Sequence, residues 1–116
     1  MRGPVIALSL LVMMLPSHAD TPGGEVVGMG AATCAQMGEM YAENTRETEM
    51  AVRDWALGFM SGLEFVRLTN GVPTKLVAAS HEEIFDYVRA QCAQRPLETV
   101  WSIVAEFYRS LPTEEE

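Results

Sequence analysis

Few residues in the chain have side chains suited to covalent or acid–base chemistry: Cys34, Cys92, Ser61, His81 and the carboxylates Glu82, Glu83 and Asp86. Ser61 sits in "GFMSG", which has the look of a nucleophile elbow. That motif needs a strand before the serine and a helix after it, whereas the spacing around Ser61 is helical on both sides. His81 falls in the first turn of an expected helix, where a solvated surface position is the ordinary use of a histidine. Glu82 and Glu83 share that turn and complement the positive end of the helix dipole, so they need no chemical role. No glycine-rich phosphate loop is present, and two sulfurs with one histidine make a poor zinc site. The expectation is a protein that is not an enzyme, with no catalytic residue, no cofactor and no metal.

The start of the chain bears on what the cysteines do. Arg2, the apolar run Val5 to Leu15, Pro16 and the small residues Ser17 and Ala19 read as a secretory signal over residues 1–19, cut before Asp20. The apolar run is about half the roughly 20 residues a membrane-spanning helix needs. In an exported chain an even cysteine count reads first as a disulfide, here Cys34 with Cys92; the competing reading leaves one thiol free beside His81. Loss of Arg2 with the signal takes the net charge from −8 to −9. The basic residues are scattered singly, so nucleic acid is not an expected partner.

The elements that would position these residues are helical. Residues 20–32, "DTPGGEVVGMGAA", are rich in glycine and carry no helical period, and are expected to be a flexible leader. "TCAQ" starts the first helix at Thr33 with a capping box closed by Gln36, and Asn44 is a reasonable end. Cys34, Met37 and Tyr41 share one face of it. A second helix of about twenty residues is capped by Thr48 and carries Val52, Trp55, Ala56, Phe59, Leu63 and Val66 as one apolar stripe. "TNG" closes it and Pro73 prevents its continuation. Residues 72–79 form a connector with no legible path.

"SHEE" repeats the capping pattern at Ser80, and Ile84, Tyr87, Val88 and Gln91 or Cys92 carry the third stripe. The last helix is expected from Pro96, with Leu97, Val100, Trp101, Val104, Phe107, Tyr108 and Leu111 on its apolar side. Pro112 stops it, and residues 112–116 are an acidic tail. The fold class is therefore all-α: one domain over residues 33–111, about four helices and one disulfide, preceded by a signal peptide.

Two features of the second helix ask for an explanation. Gly58 and Gly62 lie four residues apart on a face adjoining Trp55 and Phe59, and each costs an exposed helix roughly 1 kcal/mol relative to alanine. The compensation expected is close approach of another backbone, from a neighbouring helix of the same chain or from a partner subunit. Met37, Met40, Met50 and Met60 also fall on the first two helices. They read either as core filling or as an adaptable apolar surface.

"TC" opening the first helix, "W-x-x-G-F-x-S-G" in the second and "Y-V-x-x-x-C" in the third resemble the HdeA/HdeB group of periplasmic proteins over Thr33 to Leu111. The resemblance implies a periplasmic protein whose disulfide joins Cys34 and Cys92. It also implies an acid-stress holdase chaperone, dimeric at neutral pH, that loosens in acid and holds unfolding clients. A second likeness competes. "GF-x-x-G", a Val-Pro connector, "I-x-x-Y-V", "R-P" and a final helix ending in Leu-Pro are similar to Tai-type immunity proteins, which neutralise secreted amidase effectors; those often carry additional cysteines, absent here. On either likeness the partners are other proteins, whether unfolded clients, one effector enzyme or a second copy of the chain.

Overall fold

A computed structural model of the chain describes residues 26–75 and 80–113, together with Gly3 alone. The expected signal sequence, residues 20–25, residues 76–79 of the connector and residues 114–116 lie outside them. A 3₁₀ turn, Gly28–Ala31, leads into four helices: α1 (Cys34–Glu43), α2 (Thr45–Thr69), α3 (His81–Gln94) and α4 (Val100–Ser110). The described residues contain no strand, only two isolated antiparallel bridges, Thr33 with Thr99 and Lys75 with Thr113. The all-α reading with one disulfide holds.

Local chemistry sets the helix ends where the sequence carries its own cap. Thr33 Oγ1 accepts from the Gln36 amide while the Gln36 side chain accepts from the Thr33 amide. Ser80 and Glu83 make the same reciprocal pair at α3. Each box satisfies two backbone donors that a helix start otherwise leaves free. At the other end of α2, Gly71 takes φ +65° and its amide donates to Leu68 O, while the Val72 amide reaches back to Arg67 O. That is a Schellman closure, and the glycine provides the left-handed conformation it requires.

Two starts differ from expectation. α2 begins at Thr45, three residues before Thr48, and is 25 residues long. Asn44 both ends α1 and opens α2, its side chain donating to Glu47, so the two helices meet at a corner one residue wide. Thr48 is consequently inside the helix and buried against the core. α4 begins at Val100 rather than near Pro96, with Thr99 as its cap. The physical reason lies in α1: the Cys34 and Ala35 amides, free at a helix start, donate to Glu98 O and Pro96 O. The turn after α3 is held open to supply those carbonyls. Leu97, expected on the apolar side of α4, is 91% exposed. Leu97→Ser should therefore change the unfolding midpoint by less than about 0.5 kcal/mol.

The core is organised around α2. Val52, Ala56 and Met60 meet Ile84 and Val88 of α3 and Val100, Ile103 and Val104 of α4 in one buried cluster. Met37 and Met60 fill core space, whereas Met50 is exposed, so the two readings of the methionines divide by residue. Val66, placed on the α2 stripe by its spacing, is exposed instead. Phe85, absent from the expected α3 stripe, is buried and packs at 5.7 Å on Tyr41.

Candidate protein-binding surface

The two cysteines are joined. Cys34, the first residue of α1, and Cys92, near the end of α3, form a disulfide with a Cα separation of 4.9 Å, both side chains buried. Neither sulfur is free for nucleophilic work. The bond lies beside the hydrogen bonds from Cys34 and Ala35 to the 96–98 turn, so α1 is fastened at its N-terminus by one covalent and two polar links.

Ser61 lies mid-helix on the outer face of α2, exposed, with no strand before it. His81 is the first residue of α3, with Glu82 and Glu83 in the same turn; Glu83 is committed to the cap. Among the described residues no three His, Cys, Asp or Glu side chains converge as a metal site would require.

A second polar knot ties the other end of the domain. Glu64 accepts from the Lys75 amide through both oxygens, at 3.1 and 3.0 Å, and from the Tyr108 hydroxyl at 2.6 Å. Lys75 Nζ in turn donates to Arg109 O and Leu111 O, neutralising the carbonyl end of α4. One carboxylate on α2 thus holds both the connector and α4. Burial pushes the Tyr108 phenol up to about 12, and its hydrogen bond to Glu64 acts in the same direction. Because the raised group is neutral when protonated, its contribution is complete below the ordinary phenol value near 10 and is lost as pH rises through about 12. Tyr108→Phe should remove the latest phase of phenolate absorbance in an alkaline titration and cost about 1–3 kcal/mol at neutral pH.

Arg95 and Glu106 form a bidentate pair, both contacts at 2.7 Å, joining the α3–α4 turn to α4. The Arg95 guanidinium holds the Glu106 carboxyl below the usual carboxylate range. A depressed acid stabilises the fold above its unfolded value and withdraws that stability as pH falls through its folded value. The stability gap between the natural chain and Glu106→Gln should therefore close as pH is lowered below about 4. Both side chains are about a third exposed, so the gap should also shrink with salt.

Trp55 and Phe59 stack at 5.1 Å between ring centroids and pack on the margin of the core. Trp55 Nε1 donates to Val27 O at 2.9 Å, and its indole lies against Gly30 so closely that a Cβ there would overlap the ring. Residues 26–31 are thus docked on α2, where a flexible leader was expected. The tight approach belongs to Gly30. Among the described residues, Gly58 and Gly62 have no atom within 4 Å of where a Cβ would sit, which overturns the expectation that they admit a neighbouring helix of the fold.

What those two glycines lie in is a long uncovered face. Gly58, Ser61, Gly62, Phe65, Val66, Leu68 and Thr69 are all exposed, Phe65 by 66% and Leu68 by 68%, and none is charged. The charges on this half of α2 are spent elsewhere: Glu64 in the knot above, and Arg67 donating from Nε to Pro73 O at 2.7 Å. This exposed, uncharged and largely apolar helix face is the candidate surface for contact with another molecule. The sequence reading had Phe59 and the glycines as packing residues and did not single out Phe65 or Leu68. The signal for these two was their position off the buried stripe.

No protein-family model, no curated protein and no solved structure matches the chain. The fold and surface define its class: a helical domain held by one disulfide, with an exposed apolar helix face and no helix among the described residues long and apolar enough to cross a membrane.

Proposed function

We propose that the protein is an exported, periplasmic holdase of HdeA-like character, which holds unfolding proteins when its compartment becomes acidic. The observation that carries the reading is the uncovered face of α2 around Phe65 and Leu68, set in a fold that single carboxylates tie together. Glu106 ties the α3–α4 turn to α4, and because Arg95 holds its carboxyl below the usual carboxylate range, acid withdraws that tie. Without the signal, sixteen carboxylates face seven Lys and Arg residues, so full protonation carries the net charge from −9 to about +8 with His81 counted. Acid would loosen the helices and enlarge the apolar surface, while the disulfide keeps the chain compact.

The test is an acid titration of the oxidised protein from pH 7 to pH 2 by circular dichroism and light scattering, with a client aggregation assay at each end. The expected result is loss of fixed packing, dye-accessible apolar surface and suppressed client aggregation in acid. A chain that stays folded, binds no dye and leaves aggregation unchanged would remove the proposal.

A second reading is favoured by one feature of the same face: it is exposed in the folded state and needs no acid to form. That suits a Tai-type immunity protein, which binds one secreted amidase at neutral pH. Its test is the neighbouring reading frame, where an exported hydrolase inhibited by this protein is expected and the absence of one counts against it.

A further inference from the structure

A second surface lies at the N-terminal end of α2, where Glu47 and Ala51 stand on the side of the helix that carries Gly58 and Phe65 further along. Between the 3₁₀ turn and α1 is an open depression of about 580 Å³, and a further one of about 240 Å³ continues it over the α1–α2 corner. Met29 and Met40 line both, so the two form one groove with a methionine floor. Glu39 lines the first depression, and Glu43 and Glu47 line the second. Among the described residues none of these three carboxylates has an ion-pair partner. Arg46, next to Glu47 in the chain, does not line the groove.

Methionine adapts its shape to whatever apolar group it meets. Three carboxylates without an ion-pair partner around such a floor raise the local concentration of cations and disfavour anions. We propose that this groove docks a short polypeptide segment of one chemistry: an apolar residue or two flanked by Lys or Arg. The apolar side chain enters between Met29 and Met40, and the flanking cations meet Glu39, Glu43 and Glu47. The α1 residues that line it run from Gln36 to Glu43, roughly 10 Å along the helix, a length for about three extended residues before the groove turns over the corner. The segment belongs to a protein partner and not to nucleic acid, whose phosphates the carboxylates would repel.

This docking does not depend on the acid response, since the groove and its charges exist in the neutral fold. It is tested at pH 7 on the oxidised chain by fluorescence anisotropy with a labelled Lys-Leu-Leu-Lys peptide and two controls, one with Glu for Lys and one with Ser for Leu. Binding of the first alone, weakening with salt, is expected. The triple variant Glu39→Gln, Glu43→Gln, Glu47→Gln should weaken it about tenfold, and Met29→Ser with Met40→Ser should abolish it. Glu82→Gln with Asp86→Asn, exposed acids on α3, should leave it unchanged. Equal binding of the Ser-for-Leu peptide, or equal weakening by the α3 pair, would reduce the effect to general charge attraction and overturn the proposal. Loss of acid-stage client holding with peptide binding intact would instead strike only the holdase reading.

Discussion

Replacing both cysteines, Cys34→Ser with Cys92→Ser, is expected to lower the stability of the domain by about 4 kcal/mol. The bond closes a loop with a sequence separation of 58 residues, and the entropy it removes from the unfolded chain grows with the logarithm of that length. For a domain this small the loss is a large share of the 5–15 kcal/mol that holds a typical fold together. The effect should be uneven along the chain. α1 has only ten residues, too few for a helix stable by itself in water. Its start is secured by the disulfide and by the Cys34 and Ala35 amides bonded to the 96–98 turn. Denaturant unfolding at pH 7, with hydrogen exchange on the α1 amides, should show a lowered midpoint and early loss of α1 protection. An unchanged midpoint would mean that the bond adds nothing the packing does not already provide. If the proposed holdase function holds, the same variant carries a second consequence in acid: without the staple, the loosened chain should expand and aggregate with clients instead of holding them.

What could be read in advance follows a physical division. Thr33 with Gln36, Ser80 with Glu83, and Thr69-Asn70-Gly71 are local devices whose partners lie within three or four residues, and all three stand where their residue types put them. The Cys34–Cys92 bond needed only the even cysteine count and the reading of residues 1–19 as a secretory signal. The start of α4 was not legible at Pro96, because the turn answers to amides of α1 some sixty residues away in sequence. Thr48 and Asn44 are both acceptable caps by type, and the corner with α1 selects Asn44. The candidate binding surfaces were the least legible. An exposed Phe65 differs from a buried Phe59 only through what the rest of the chain covers, and the Met29–Met40 groove depends on the leader folding back onto α2.

Glycine substitution separates these cases and gives results of opposite sign. Gly30→Ala is expected to destabilise by about 1–3 kcal/mol, because its Cβ would overlap the Trp55 indole. The ring is not free to yield: its Nε1 is bonded to Val27 O and its face is stacked on Phe59, so moving it gives up both. Gly58→Ala and Gly62→Ala meet empty space and should each stabilise by up to about 1 kcal/mol, the gain of alanine over glycine in an exposed helix. The sequence alone pointed to close approach of another backbone at these two sites, from the same chain or a partner, and among the described residues no neighbour makes it. Under the proposed holdase function, two costly glycines with no described neighbour to accommodate keep this face low for a client. The alanine variants should therefore melt higher and hold clients less well. A rise in the unfolding midpoint with client holding unchanged would show that clients bind elsewhere than on the outer face of α2.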